Sequence, residues 1–135
     1  MTFKILRNCG IRKILSVVPE TIIDNLDVND ENKKSRERVV RNIGIRYRHI
    51  CQEGQIFTDL AHFSCKKVLE NLNWDNDSIN ALIMVTQSSE YIIPSTSIIL
   101  QHKLKLSQDC LSFDINLGCS GFTYGLMVAS SLLDN

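Results

Sequence analysis

Cys119 is the residue of this sequence with the clearest chemical potential. It lies between Gly118 and Gly121, after a segment typical of a buried strand and before an uncharged segment typical of a helix. Glycines permit a tight turn, and a helix N-terminus offers free N–H groups and partial positive charge. Both stabilise the nucleophilic thiolate, and the same N–H groups can bind an oxyanion on an attacked carbonyl. The pattern fits a nucleophile or, equally well, a buried structural cysteine.

No other residue completes a catalytic set with Cys119 by its position in the sequence. Ser120 does not fit the Gly-x-Ser-x-Gly elbow, because Phe122 stands where the second glycine is required. The sequence has three histidines, His49, His62 and His102. Each is predicted to be a solvated side chain rather than a general base. The sequence therefore offers a candidate nucleophile without an evident base.

The cysteines indicate neither a disulfide framework nor a zinc site. There are five of them, an odd number, and no Cys-x-x-Cys occurs. Reduced thiols in a cytoplasmic protein are therefore expected. Cys65 lies on the apolar face of a predicted helix and is assigned to the core.

A cluster of basic residues lies between positions 33 and 48. Its members are Lys33, Lys34, Arg36, Arg38, Arg41, Arg46 and Arg48. Such a cluster can bind phosphate groups or an acidic carrier protein. Because Glu31 and Glu37 lie among these cations, a solvated helix face is the favoured interpretation.

Length and composition narrow the class of protein. A chain of 135 residues with 44% hydrophobic residues suits one domain with its own core. The 15 Lys and Arg residues balance the 15 Asp and Glu residues, so nucleic-acid binding is disfavoured. The N-terminus is too polar for a signal peptide. Positions 115–133 contain no charge, but their glycines favour a helix buried in a layered fold over a membrane span.

Hydrophobic periodicity predicts the elements that position Cys119. Strands are expected over residues 11–18, 45–50, 81–85 and 111–115. Helices are expected within residues 24–42, over 57–72, from Pro94 to about Lys105, and over 122–133. Gly44 is the expected C-cap of the first helix, and Thr58 is a candidate N-cap of the second. This alternation is typical of an α/β fold with a parallel or mixed sheet.

Four segments, in order along the chain, match the pattern of a known family. They are Asn42–Ile50, Asp59–Thr86, Pro94–Leu104 and Phe113–Leu126, the last of which contains Cys119. Together they resemble the ketoacyl synthase III family, condensing enzymes of thiolase fold that start fatty acid synthesis. The resemblance spans residues 11–133 and implies a thiolase-like, layered α/β/α half-domain with a mixed sheet, in which a buried helix follows the nucleophile.

The resemblance implies that Cys119 accepts an acyl group from acyl-CoA or an acyl carrier protein. A malonyl thioester then loses carbon dioxide, and its enolate attacks the acyl-Cys thioester to give a 3-oxoacyl thioester. The family acts as a homodimer. We expect no cofactor, no metal and neither nucleic acid nor a membrane as partner.

The resemblance also accounts for the missing base. Family members supply a catalytic His and Asn from the second half of a longer chain. Residues 1–10 are therefore an expected N-terminal extension, and residues 11–135 an N-terminal thiolase-like domain without its C-terminal half. Alone, this chain is expected to be inactive and, because apolar surface is left open, oligomeric or poorly soluble.

Four positions are the expected substrate-binding residues. Arg38 replaces a Trp that stacks on the CoA adenine in many bacterial members, and Asn42, beside Arg41, replaces an arginine that contacts phosphate. These departures favour a carrier-bound or unusual acyl donor over CoA. Ile93 replaces a Phe that closes the acyl pocket across the dimer, so a different acyl chain can be admitted.

Other functions remain open on the same residues. One is a thioester acyltransferase that does not condense its substrates, and another is a hydroxymethylglutaryl-CoA-type synthase. A third is a non-catalytic acyl-binding or dimerisation subunit, although such a subunit has no need of a thiol at the start of a helix.

Overall fold

The computed structural model describes residues 9–27 and 33–133. The elements in chain order are β1 (Thr21–Asp24), α1 (Lys33–Ile43), β2 (Tyr47–Ile50), α2 (Phe57–Leu72), a 3-10 turn (Asn76–Ser78), β3 (Ala81–Val85), α3 (Thr96–Leu104), β4 (Leu111–Ile115) and α4 (Gly121–Leu133). Except for Cys9 and Gly10, the predicted extension over residues 1–10 lies outside the described residues. Part of the charged segment, residues 28–32, also lies outside them.

The strands form two pairs of opposite kind. β3 and β4 are parallel, with Val85 opposite Ile115, and α3 joins them and packs against both. β1 and β2 are antiparallel, with Thr21 opposite Ile50. Within the described residues these are two separate two-stranded sheets. The α/β class is confirmed, and both of the strand orientations that a mixed sheet requires occur.

The strand predicted over residues 11–18 is wrong. These residues are irregular, and β1 begins only at Thr21, after Pro19. A strand is defined by backbone hydrogen bonds to a neighbour, and a weak alternation of apolar residues does not supply one. β2 pairs with residues 21–24 instead.

The predicted C-cap of α1 is confirmed, and the predicted N-cap of α2 is wrong. Gly44 has a φ of +75°, and its N–H donates to the Val40 carbonyl at 2.8 Å. α2 begins at Phe57, and Ile56 occupies the N-cap position. Thr58 therefore lies inside the first turn, fully buried, where both its N–H and its hydroxyl donate to Glu90.

Pro94 precedes α3 rather than beginning it. Ser95 occupies the N-cap position, and the helix runs from Thr96 to Leu104. The first free N–H groups of the helix belong to Thr96 and Ser97, and a carboxylate on β4 binds both of them. This tertiary contact sets the start of the helix.

The core lies where α2 and α3 meet the parallel strands. Its buried hydrophobic residues are Leu100, Leu104, Leu106 and Cys110. The last three form a cluster, and the residues packed against it are Cys65, Leu69, Ile79 and Leu82. The assignment of Cys65 to the core is confirmed. Among the described residues, no helix combines the length and the apolar character needed to cross a membrane.

Candidate active site

Cys119 lies in the turn that joins β4 to α4, and its side chain is exposed. The N–H of Gly121 donates to the carbonyl of Gly118 at 2.8 Å and closes this turn. The helix then begins at Gly121. Within the described residues, Cys119 is therefore not part of the packed core. The thiol instead stands beside a helix N-terminus, where the first N–H groups have no partner within the helix.

Glycines allow α4 to lie against β3. A Cβ atom on Gly121 would stand 2.5 Å from Cγ1 of Val85, and one on Gly125 would stand 2.9 Å from Cγ2 of the same valine. Real Cβ contacts are longer, so a side chain at either glycine would push the helix off the strand. Phe122 and Tyr124, which flank the two glycines on α4, are exposed.

A third glycine contact involves a polar side chain. A Cβ atom on Gly118 would stand 2.6 Å from Oε1 of Gln87 and 2.9 Å from its Cδ. The carboxamide of Gln87 therefore lies directly against the residue that precedes Cys119. Gln87 is itself exposed.

Gln87 belongs to the β3–α3 loop, residues 86–95. Carboxyl ends of parallel strands lie at the same edge of a sheet, which is where ligands bind in many α/β folds. The N–H of Thr86 donates to the Ile115 carbonyl at 3.2 Å, so this loop and the Cys119 turn leave the sheet together. In the same loop, the Glu90 carboxylate accepts the N–H of Thr58 at 3.1 Å and ties the loop to α2.

The predicted substrate-binding residues lie in two places. Ile93 is 85% exposed and lies in the β3–α3 loop, at the edge of the sheet that carries Cys119. Arg38, Arg41 and Asn42 lie on α1, which connects the strands of the other pair, and all three are exposed. The described structure therefore associates Ile93 with the Cys119 edge and places the three α1 residues on a different element.

The basic cluster is exposed at every position, as a solvated face requires. Within it, Arg46 forms an ion pair with Asp24 at 2.9 Å. That ion pair joins β1 to the residue before β2 and shows that part of the cluster has a structural contact.

No histidine forms a hydrogen bond to Cys119 within residues 9–27 and 33–133. Nδ1 of His49 lies 2.6 Å from the Pro19 carbonyl oxygen, whereas His62 lies on α2 and His102 on α3. The described part of the chain also contains no group of three or more His, Cys, Asp or Glu side chains arranged to hold a metal ion.

Sequence reasoning missed Gln87, Glu90 and Asp114 as residues that build the site. A signal existed for Asp114, because a carboxylate in an otherwise apolar strand needs hydrogen-bond donors. Gln87 and Glu90 had the weaker signal of following the carboxyl end of a buried strand.

The comparisons with known proteins agree in sequence and in fold. The chain is 36% identical over 118 residues to a beta-ketoacyl-[acyl-carrier-protein] synthase III of Xanthomonas campestris pv. campestris (strain 8004), covering 87% of this chain and 36% of that protein. It is 32% identical over 126 residues to a protein of the same name from Coxiella burnetii (strain CbuK_Q154), covering 93% and 40%. No profile of a known protein family matches the chain.

The solved structure of a 3-oxoacyl-(acyl-carrier protein) synthase from Burkholderia xenovorans LB400 matches with a TM-score of 0.78 and 36% identity, covering 86% of this chain and 34% of that one. The chain thus spans less than half the length of each of these relatives. Since the likeness in sequence and fold nevertheless extends over most of this chain, the chain belongs to the beta-ketoacyl-[acyl-carrier-protein] synthase III family, which has a thiolase-like fold.

Proposed function

We propose that this chain is the N-terminal part of a 3-oxoacyl-[acyl-carrier-protein] synthase III-type enzyme and that Cys119 is its acyl acceptor. The observation that carries the proposal is the position of Cys119, exposed in a turn at the N-terminus of α4. The relatives are named as synthases of acyl-carrier-protein thioesters, and these names support an acyl thioester as the substrate.

In the first step of the proposed reaction, the Cys119 thiolate attacks the carbonyl carbon of an acyl thioester. The bond from that carbon to the carrier sulfur breaks, and the carrier leaves as a thiolate that takes a proton from water. The free N–H groups at the start of α4 favour both the attacking thiolate and the oxyanion of the tetrahedral intermediate.

In the second step, a malonyl thioester loses carbon dioxide, and its enolate attacks the acyl-Cys119 carbonyl. The product is a 3-oxoacyl thioester, and the Cys119 thiolate is released. This step is assigned to the whole enzyme, with a His and an Asn from residues beyond this chain, so the chain alone is proposed to be inactive in condensation. The pathway is fatty acid or related biosynthesis in the cytoplasm.

Other parts of the chain have proposed roles in the same reaction. Arg38, Arg41 and Asn42 on α1 are proposed to contact the carrier phosphate, and Ile93 to border the acyl chain. Homodimerisation is proposed through the apolar surface, which includes Ile92 at 96% exposure and Phe122 at 67%. Residues 11–135 are proposed as the N-terminal domain that this function requires.

Intact-mass spectrometry after incubation with acetyl-CoA or an acetylated acyl carrier protein tests the proposal. We expect one acetyl adduct, mapped by peptide analysis to Cys119 and absent from Cys119→Ser. Cys51→Ser is the matched control, because Cys51 is also exposed but follows β2 and does not stand at the start of a helix. An unmodified Cys119, or an adduct on Cys51 alone, contradicts the proposal and favours the non-catalytic subunit.

A further inference from the structure

We propose that Gln87 is a substrate-binding residue of the Cys119 site, and that its carboxamide donates a hydrogen bond to a carbonyl oxygen of the acyl thioester. The inference rests on the proposed role of Cys119 and deepens it by naming a residue that receives the substrate. It starts from the contact between the Gln87 carboxamide and Gly118.

Two side chains at the carboxyl end of β3 contact three glycines, one in the Cys119 turn and two in the first part of α4. Val85, at the end of the strand, fills the space beside Gly121 and Gly125 with its methyl groups. Gln87, two residues further on, occupies the corresponding space beside Gly118. The apolar contact packs the helix, and the polar contact lies where the strand ends and the thiol is exposed.

The loop around Gln87 is held in place by hydrogen bonds of its other residues. The N–H of Ser88 donates to the Thr86 hydroxyl at 3.0 Å, and Glu90 accepts the N–H of Thr58 at 3.1 Å. Within residues 9–27 and 33–133, the Gln87 carboxamide has no hydrogen-bond partner. It is therefore an amide on a fixed backbone, free to bond a ligand.

The chemistry of an acyl thioester suits this amide. Its carbonyl oxygen accepts a hydrogen bond but does not donate one, and the Nε2 group of Gln87 is a neutral donor. A donor on the residue that contacts Gly118 can orient the carbonyl for attack by the neighbouring Cys119, and a single hydrogen bond of this kind changes a rate by about three- to tenfold.

The test compares two reagents on the full 135-residue chain. S-acetyl-N-acetylcysteamine is a small thioester that lacks phosphate groups and therefore does not depend on the cations of α1. Methyl methanethiosulfonate modifies thiols and has no carbonyl group. For Gln87→Ala we expect acetylation of Cys119 to slow by about three- to tenfold, with unchanged methyl methanethiosulfonate labelling. Gln108→Ala is the matched control, because Gln108 is an exposed glutamine of the α3–β4 turn.

A second variant changes the glycine that the Gln87 carboxamide contacts. An alanine at Gly118 displaces the flexible end of Gln87. We therefore expect Gly118→Ala to slow acetylation as Gln87→Ala does, and the double variant to be no slower than either single variant.

The outcomes separate this inference from the proposed function. If acetylation and methyl methanethiosulfonate labelling of Cys119 slow equally in Gln87→Ala, Gln87 only supports the turn, and the inference is overturned. An unchanged acetylation rate, or equal slowing in Gln108→Ala, also overturns it while Cys119 remains the acyl acceptor. A wild-type Cys119 that is labelled by methyl methanethiosulfonate but never acetylated overturns both proposals.

Discussion

Oδ2 of Asp114 lies 2.8 Å from the backbone nitrogen of Thr96, and this hydrogen bond joins β4 to the first turn of α3. Oδ1 accepts the N–H of Ser97, also at 2.8 Å. A carboxylate at a helix N-terminus satisfies free donors and interacts favourably with the helix dipole. Burial raises the pKa of the Asp114 carboxyl, but hydrogen bonds from Ser97 and Thr96 outweigh it and the net pKa is lowered.

We predict that Asp114→Ala lowers the free energy of unfolding by about 1–2 kcal/mol at pH 7. Because the folded pKa is lowered, this contribution is present above the unfolded value of about 3.9 and is lost as pH falls through the lower folded value. Urea denaturation between pH 7 and pH 3 measures it. The control, Asp109→Ala, changes an exposed carboxylate of the α3–β4 turn; a gap between wild type and Asp114→Ala that does not narrow at acid pH contradicts the prediction.

Gly121→Ala is predicted to destabilise the protein by about 1–3 kcal/mol, because the new methyl group meets Val85 at a distance that real Cβ atoms do not show. Val85→Ala in the same chain removes that contact and is expected to recover part of the loss. Thermal denaturation followed by circular dichroism measures both changes. Gly10→Ala is the control, since no atom lies within 4 Å of a Cβ there; equal losses at the two glycines disagree with the packing we describe.

The contact between Thr58 and Glu90 is predicted to couple α2 to the β3–α3 loop. A double-mutant cycle with Thr58→Val and Glu90→Gln is expected to give a coupling energy of about 0.5–3 kcal/mol, because Thr58 is fully buried. The exposed ion pair between Lys67 and Glu70 provides a comparison cycle, for which screening by solvent predicts a smaller coupling. Additive effects of Thr58→Val and Glu90→Gln rule out the proposed coupling.

The cysteines are predicted to react in an order set by burial. Cys51 and Cys119 are exposed and are expected to be alkylated in the native protein, whereas Cys110 is buried and is protected until unfolding. Burial raises the pKa of the Cys65 thiol. Less thiolate is then present at a given pH, so the alkylation rate of Cys65 rises only at higher pH. Peptide mapping after timed iodoacetamide treatment measures the order, and early labelling of Cys65 at neutral pH is the contrary result.

Local patterns predicted the elements, and tertiary contacts decided the details that sequence reasoning missed. The periodicity of residues 57–72, the apolar strand over 111–115 and the glycine at position 44 are local signals, and the structure confirms them. Thr58 was expected to cap α2 because its type suits a cap, but its partner Glu90 lies far along the chain. The start of α3 likewise depends on a carboxylate from β4.

The candidate site also combines a feature that local sequence predicts with a contact between residues distant in sequence. The glycines around Cys119 are a local signal for a turn between a strand and a helix, and the structure places Cys119 in such a turn. The contact between Gln87 and Gly118 joins two loops that are distant in sequence, and neither residue type predicts the other. A contact of this kind becomes visible only when the parallel register of β3 and β4 is known.

Each strand of the parallel pair has one strand neighbour within the described chain, so each also has one outer edge. The backbone N–H and C=O groups on such an edge can bind an added strand of almost any sequence. At high protein concentration, strands of other molecules can therefore pair with these edges without selectivity. A polypeptide that supplies its own adjoining strands protects those edges as it folds.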